Sequence, residues 1–220
     1  MKLRILYTRN DELKFISHLN TVDLLQRAVF NTDYQVLFSQ GFNPHPIMSF
    51  GNPLPLGVSS DFEIFDVDLV DDQVDLDKFK DQLNSYLPKQ VQVFKIFLAD
   101  NTSISKVFSY SIYEFIIDSE KNLEELNLFD KKPIIIERTK KAKKKREREI
   151  VQEDITSHVE IKRNFIRVQT GEYFLEAKLE NSNNKIINPM NFIQGLLKKY
   201  NINIDPVDIS IHKREMLWSI

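Results

Sequence analysis

Apolar residues in the first hundred positions recur at two spacings, which predict strands and helices in alternation. Strands are predicted where short apolar runs are bounded by polar and turn residues. These are residues 3–9, 35–39, 61–70 and 91–99, and residues 47–51 are a further candidate. Helices are predicted where apolar residues recur every three or four positions: Leu19, Val22, Leu25, Ala28 and Val29 in one, and Leu76, Phe79, Leu83 and Leu87 in the other. The alternation within 61–70 slips near Phe65, so we expect an irregularity in that strand.

The order of elements in residues 1–100 is β-α-β-β-α-β, the ferredoxin-like split arrangement of a helix-backed antiparallel sheet. Residues 101–220 repeat this order loosely, without a repeat of the residues themselves. The elements predicted there are strands at 110–118, 132–138 and 208–218, a hairpin within 158–180, and helices at 119–129 and 188–200. We therefore predict an α+β protein of two ferredoxin-like (split β-α-β) halves, 1–100 and 101–220, with antiparallel sheets backed by helices and a basic insertion at 138–149.

The composition is that of a folded protein and excludes cysteine chemistry. Hydrophobic residues make up 42% and charged residues 28% of the 220 positions, which is ordinary for a globular chain. Because there is no cysteine, the chain forms no disulfide and supplies no thiolate to a zinc site, an iron–sulfur cluster or a nucleophile. It has neither an apolar run near the roughly 20 residues that cross a bilayer nor a signal-peptide pattern. We expect a cytoplasmic protein without membrane contact or cofactor.

Charge is spread unevenly around the net value of −2. Residues 1–105 carry 9 basic and 14 acidic side chains, a net of −5, and the remainder carries 21 and 18, a net of +3. Most of that excess lies in residues 138–148, which hold eight basic residues and one acidic residue. Such a run suits contact with RNA phosphates, which supplies affinity rather than sequence reading, but it also suits a solvated insertion between strands. The candidate RNA-backbone contacts are Lys140, Lys141, Lys143, Lys144, Lys145, Arg146 and Arg148.

Turn residues are concentrated in residues 38–57, which hold three of the five glycines and four of the eight prolines. Gly41 permits positive φ, and the prolines that follow Asn43 and His45 force those residues toward extended backbone. The sequence therefore predicts a stiff loop. Its exposed side chains would be Gln40, Phe42, Asn43 and His45. Such a loop suits a base or another planar ligand: Phe42 would stack on its face, and Asn43 or Gln40 would form hydrogen bonds with its edge. A rigid connection with Phe42 in the core is the alternative.

Ser17 and His18 stand where the first helix is predicted to begin. A neutral histidine beside free backbone N–H groups could contact a phosphate or shuttle a proton. In the structural interpretation, Ser17 caps the helix and His18 packs locally. The candidate substrate-binding residues are therefore Ser17, His18, Gln40, Phe42, Asn43 and His45.

Catalysis on this chain would depend on His18 and His45, because no nucleotide-binding loop, nucleophile elbow or zinc motif is present. The sequence leaves open whether the two histidines lie at the same end of the sheet. Without HxH or HxxxH spacing, we expect no metal site. The acidic pairs in 66–72 are typical of a solvated strand edge.

The motifs of residues 14–69 resemble the radical-SAM-associated protein family, a bacterial domain found alone or attached to a cobalamin-binding radical SAM protein. The matching positions are Phe15, Ile16, Ser17, His18, Leu19, Asn20, Arg27, Ala28, Phe38, Ser39, Gly41, Phe42, Asn43, Pro44, His45, Pro46, Ser49, Phe50, Pro53, Leu54, Gly57, Glu63 and Asp66. Two positions depart from the pattern. Asn20 replaces the usual Asp, which argues against a required catalytic base at this position. Ile47 stands where a basic residue often follows the second proline, which argues against phosphate binding at that spot.

The resemblance implies a separately encoded radical SAM protein as partner. It also suggests RNA (tRNA or rRNA), since genes of the family often neighbour those of ribonuclease G and large-subunit ribosomal proteins. The leading hypothesis is a non-catalytic RNA-binding accessory subunit of a radical SAM RNA-modifying enzyme.

Two alternatives stay open. One is a metal-independent endoribonuclease that uses His18 or His45 and resembles the CRISPR repeat-processing nucleases, although their glycine-rich C-terminal loop is missing. The other is a protein–protein interaction module that docks through the 42–56 loop.

Overall fold

The computed structural model describes residues 1–100, 102–118, 132–141, 148–167 and 169–219. It shows a mixed α+β protein with a mostly antiparallel sheet and three α-helices among these residues. The chain forms two compact units, Met1–Ser109 with Lys213–Ile220, and Tyr110–His212. Within the described residues, no helix has the length and apolar character needed to cross a membrane.

The first unit places two helices on an antiparallel sheet. Its elements are β1 (Lys2–Arg9), α1 (His18–Phe30), β2 (Met48–Phe50), β3 (Val58–Asp68), α2 (Leu76–Tyr86) and β4 (Val93–Leu98). The strand order is β4-β1-β3, with β2 paired to β3. The pairs β1–β3, β1–β4 and β2–β3 are antiparallel. The last residues of the C-terminal strand β10 (Ile209–Trp218) also belong to this unit.

The core of the first unit explains the helical spacing that the sequence shows. Leu25, Ala28 and Val29 of α1 and Phe79 and Leu83 of α2 are buried in one cluster with β1 and β3. Asp75 caps α2 by accepting a hydrogen bond from the Lys78 N–H, as expected for an Asp before a helix.

Two strand predictions in this unit are wrong. The irregularity in β3 lies opposite Tyr7 and Arg9 rather than at Phe65, and Ile64, Phe65 and Val67 are all buried. A strand covered on both faces loses the apolar–polar alternation, and this loss was mistaken for a slip.

Residues 35–39 form no strand and make only isolated bridges, which join Val36 to Leu69 and Phe38 to Pro46. A proline has no N–H to donate, so pairing does not continue along this segment.

Among its described residues, the second unit contains three neighbouring antiparallel strands, a separate two-stranded ribbon and one α-helix. Its elements are β5 (Phe108–Ile117), whose first two residues belong to the first unit, β6 (Ile135–Lys141), β7 (Arg148–Asp154), β8 (Val159–Ile166), β9 (Tyr173–Glu180) and α3 (Pro189–Lys199). The strand order is β10-β5-β9-β8, and β6 and β7 form a two-stranded antiparallel sheet. The predicted hairpin is β8–β9. The predicted helix at 119–129 lies outside the described residues.

The sequence did not predict β7, and it ended β6 too early. Backbone pairing runs from Ile135–Asp154 to Lys141–Arg148, so the ends of the basic insertion are strand. Most side chains described on β7 are exposed. Its two apolar residues, Ile150 and Val151, are adjacent, so β7 lacks the apolar–polar alternation that reveals a strand.

Candidate functional site

The loop at residues 39–45 is closed at its base by hydrogen bonds between Ser39 and His45. The Ser39 N–H donates to the His45 carbonyl at 2.9 Å, and the His45 N–H donates to Ser39 Oγ at 3.1 Å. Ser39 Oγ also lies 2.9 Å from His45 Nδ1. Below this pair, the Ile47 N–H donates to the Leu37 carbonyl. The 39–45 loop is therefore fixed by side-chain chemistry as well as by proline.

The tip of the 39–45 loop is exposed. All residues from Gln40 to His45 are exposed, and Phe42 has a relative accessibility of 106%. This excludes the alternative in which Phe42 packs in the core. Gly41 has a φ of +134°, a conformation that favours glycine and that turns the chain at the tip. The geometry leaves an aromatic ring in solvent on a shaped loop.

A second aromatic surface lies below the loop and was not predicted. The rings of Phe30, at the end of α1, and Phe38 stack with centroids 6.0 Å apart and planes 9° apart. Each is about half exposed. Apolar rings in water have a free-energy cost that a ligand could relieve by stacking. Phe38 is one of the motif positions, but nothing in the sequence indicated that Phe30 would stack against it.

Ser17 and His18 occupy the beginning of α1. Ser17 is the N-cap, and its Oγ accepts a hydrogen bond from the Asn20 N–H at 3.1 Å. The His18 ring packs edge-on against Phe50 at 6.3 Å between centroids, and Phe50 stacks on the buried Phe65. His18 is therefore half-buried against aromatic rings that lead into the core.

The two histidines have different surroundings, His18 beside Phe50 and His45 beside Ser39. An acid–base pair formed by them stays a prediction. Among the residues that the structure describes, no group of three or more His, Asp or Glu is arranged to hold a metal ion.

Three buried charges of the first unit were missed by the sequence analysis. Arg9 and Lys213 are each 2% exposed and Glu63 is 6% exposed, and Lys213 forms an ion pair with Glu63. Burial, together with the nearby Glu63 carboxylate, raises the pKa of Tyr7, whereas Arg9 acts in the opposite direction. A charged residue inside an apolar strand was the available signal, because such residues are rarely buried without a partner.

A separate pair, Arg4 and Asp66, is held by two hydrogen bonds of 2.8 and 2.9 Å. The Asp66 side chain raises the pKa of Arg4, chiefly by its hydrogen bonds. Since Arg4 also donates to the Thr102 carbonyl, this pair joins the sheet to the segment that follows β4 and is structural.

The predicted RNA-backbone residues are divided between strand and undescribed chain. Lys140 and Lys141 belong to the end of β6, and Arg148 begins β7. Lys143, Lys144, Lys145 and Arg146 lie outside the described residues. The base of the ribbon is held by the Arg138–Glu153 and Lys198–Glu137 ion pairs.

Comparison with known proteins gives a family for the chain. Residues 2–189 match a family model whose description is an uncharacterized protein conserved in bacteria, DUF2344. A search of the curated proteins found no match.

Proposed function

The chain belongs to this bacterial family, DUF2344, and we propose that it is a non-catalytic, RNA-binding accessory subunit of a radical SAM RNA-modifying enzyme. The single observation that carries the proposal is the fully exposed Phe42 ring on a loop whose base is closed by Ser39 and His45. An exposed aromatic ring on a loop with a closed base supplies a stacking platform for an unpaired base.

The side chains around Phe42 supply polar groups for the edge of such a base. Gln40 and Asn43 each offer one amide acceptor and two donors, and both are exposed in the same loop. His45 is held at Nδ1 by Ser39, so its second ring nitrogen is available to a ligand. We assign contact with bases, and not with phosphates, to this loop, because residues 1–105 carry a net charge of −5 and negative charge disfavours phosphate contact.

Phosphate contact is assigned to the basic residues Lys140, Lys141, Lys143, Lys144, Lys145, Arg146 and Arg148. Paired strands approach this run from both sides. Like charges in one connection repel one another, and polyanion binding relieves that repulsion. In this proposal the run supplies affinity and the 39–45 loop supplies recognition.

The radical SAM partner follows from the resemblance of the motifs, together with the lack of cysteine in this chain. Iron–sulfur clusters need thiolate ligands, so a separate protein would carry the cluster and perform the reaction. The order β4-β1-β3 with β2 beside β3, antiparallel throughout, supports the ferredoxin-like assignment of the first half. The same assignment for the second half is part of the proposal.

The decisive variants are Phe42→Ala and Phe42→Tyr, measured against short single-stranded RNA by fluorescence anisotropy. We expect Phe42→Ala to weaken binding by about 1–3 kcal/mol, the usual effect of removing one stacked aromatic, and Phe42→Tyr to bind as the parent does. If Phe42→Ala binds with unchanged affinity, the loop has no role in RNA recognition.

The basic run is tested by salt dependence. Replacing Lys143, Lys144, Lys145 and Arg146 by Gln should reduce the slope of log K against log salt by about 0.7 for each phosphate that the variant no longer neutralises. A slope that is near zero in the parent protein removes the run from the proposal.

A second candidate, the interaction module, is favoured by exposed apolar side chains near the start of α1. Phe15 and Leu19 are 66% and 72% exposed, and Leu56 is 58% exposed. The loop of Leu56 is joined to this segment, because the Gly57 N–H donates to the Lys14 carbonyl at 2.8 Å.

A pull-down of the radical SAM protein in the presence of ribonuclease tests this candidate, with Phe15→Ser and Leu19→Ser as variants. Retention that survives ribonuclease and is lost in these variants favours docking over RNA binding.

The endoribonuclease is tested separately. Specific RNA cleavage in EDTA that disappears in His18→Ala or His45→Ala would favour it.

A further inference from the structure

A cavity of about 260 Å³ lies in the second unit and is lined by β8, by the C-terminal end of α3 and by residues next to the ribbon. Its apolar lining consists of Ile134, Val159, Ile161 and Leu196. Hydrogen bonds fix part of the wall, because the Ile134 N–H donates to Thr156 Oγ1 at 2.8 Å and the Ile155 N–H donates to the Ile134 carbonyl at 3.0 Å. Pockets for drug-sized ligands measure roughly 300–1,000 Å³, so this cavity suits a smaller molecule.

A β-bulge in β8 brings a polar side chain into the cavity. The pairing of β8 with β9 shifts between Ile161 and Arg163, so Lys162 is an extra residue. Beyond the bulge, Asn164 pairs with the fully buried Leu175 and lines the cavity. Cross-strand partners share one face of a sheet, so Asn164 occupies an inward position. Its side-chain amide has no hydrogen-bond partner among the described residues, and a bulge often directs a side chain into a functional site.

Three lysines from different parts of the chain line the same cavity. Lys132 precedes β6, Lys162 lies at the bulge and Lys199 lies in the last turn of α3. No Asp or Glu is found among the described residues of the lining. A lysine in the last turn complements the negative end of a helix, which explains Lys199 but neither of the others. Three ammonium groups around one space favour an anion with more than one charge, and lysine is a common ligand of phosphate.

We propose that this cavity binds the phosphate monoester of a small molecule with an apolar or aromatic body. The lysines would hold the phosphate, the Asn164 amide would donate to one of its oxygens, and the apolar lining would contact the body. The inference goes beyond the proposed function, which assigns RNA bases to the 39–45 loop of the first unit. A free metabolite and the terminal phosphate of an RNA strand offer the same chemistry.

The test is a titration of the ¹⁵N-labelled protein with phenyl phosphate, compared with titrations with phenol and with inorganic phosphate. We expect saturable shifts of the Asn164 side-chain amide and of the β8 backbone amides, with a Kd on the order of 1 mM. Phenol and inorganic phosphate should each bind about tenfold more weakly or worse, because each makes only part of the contacts.

Lys162→Met and Lys178→Met are a matched pair of variants. Both lysines form an ion pair with Glu160, but Lys178 is not among the described residues of the lining. Lys162→Met should weaken phenyl phosphate binding by about tenfold. Lys178→Met should bind phenyl phosphate as the parent does, although it loses the same kind of ion pair.

Asn164→Leu separates a binding role from a structural one. Leucine is close to asparagine in size and has no amide that lacks a partner, so the variant should be at least as stable in urea as the parent. It should bind phenyl phosphate about tenfold more weakly. A less stable variant that binds phenyl phosphate with unchanged affinity would show that Asn164 serves the fold and would contradict the proposal.

The inference is overturned if phenyl phosphate leaves the Asn164 side-chain signals unshifted, if phenol binds as tightly, or if Lys162→Met binds as tightly as Lys178→Met. An RNA strand with a terminal monophosphate and the same strand without it separate the two sources. Displacement of phenyl phosphate by the phosphorylated strand alone assigns the site to an RNA end, and displacement by neither strand assigns it to a free metabolite. Displacement by both strands would contradict a monoester site.

The failure of this inference is distinct from that of the proposed function. Phe42→Ala should leave phenyl phosphate binding unchanged, and Lys162→Met should leave the ring of Phe42 able to stack on a base. A protein that binds phenyl phosphate but no RNA would support this cavity while removing the RNA role.

Discussion

Ser39 Oγ lies 2.9 Å from His45 Nδ1, and the same oxygen accepts the His45 backbone N–H at 3.1 Å. One hydroxyl therefore fixes both the backbone and the ring of the residue that ends the 39–45 loop. Since the Phe42 side chain at the tip is fully exposed, the position of the tip depends on this closure.

Ser39→Ala should loosen the loop without unfolding the protein. The variant loses two side-chain hydrogen bonds at an exposed site, so we expect a loss of at most about 1–2 kcal/mol in the free energy of unfolding. RNA affinity should fall because a mobile loop has to be ordered on binding. Amide order parameters of residues 40–44 measure the mobility, with Ser49→Ala, at an exposed position, as the control. Unchanged order parameters would show that proline alone holds the loop.

Local signals in the sequence were enough to predict most elements of the first unit. The apolar spacing predicted α1 and α2, and the Ser and Asp before them are the caps. The crowding of proline and glycine predicted a shaped loop, but such residues do not say on which side of a sheet a loop lies. The exposure of Phe42 therefore needed the structure.

Relationships between distant residues could not be predicted from local patterns. The stack of Phe30 on Phe38 depends on how α1 ends against the loop, and the pairing of Glu63 with Lys213 joins residues 150 positions apart. The strand β7 was not predicted because its two apolar residues, Ile150 and Val151, are adjacent and do not alternate with polar residues. The first two misses have the same physical cause: the partner was not a sequence neighbour.

Two glycines within residues 38–57 should respond to alanine for different reasons. At Gly41 an added Cβ has nothing within 4 Å, but φ is +134°, so Gly41→Ala should cost about 1 kcal/mol or more through backbone strain alone. At Gly51 the Cβ would lie 2.7 Å from Cγ2 of the buried Ile64, so Gly51→Ala should cost about 1–3 kcal/mol through overpacking.

Urea denaturation measures both glycine variants. Only Gly41→Ala should also alter the amide shifts of the 39–45 loop. If Gly51→Ala leaves the free energy of unfolding unchanged, the side chain of Ile64 moves to make room for the added methyl group.

The buried pair of Lys213 and Glu63 should show strong coupling. Lys213→Met leaves a buried carboxylate without its partner and should cost about 3–5 kcal/mol in the free energy of unfolding. Adding Glu63→Gln removes the unpaired charge, so the double variant should be more stable than Lys213→Met. A double-mutant cycle in urea checks this, and additive losses would contradict an ion pair.

Stability in acid should depend on Glu180. Burial opposes ionisation of this carboxyl, but hydrogen bonds from Ser182 and His158 outweigh it, so its pKa is lowered from 4.5. A lowered folded-state pKa gives stability that is present above the unfolded-state value and is lost as pH falls through the folded-state value. The free energy of unfolding should therefore decline below about pH 4.5.

The Glu180→Gln variant isolates this contribution, because it retains the shape of the side chain and cannot titrate. Its unfolding free energy should fall less steeply with acid than that of the parent. Parallel curves for the two proteins between pH 3 and 6 would assign the acid sensitivity to other carboxyls.

The central claim, that the ring of Phe42 meets an RNA base, is tested most directly by placing 4-fluorophenylalanine at position 42 and following its ¹⁹F resonance during titration with single-stranded RNA. The account predicts one resonance that shifts and broadens in proportion to the RNA bound, because a stacked base changes the surroundings of the ring. A resonance that stays at its free position while anisotropy shows the protein saturated with RNA would contradict the account.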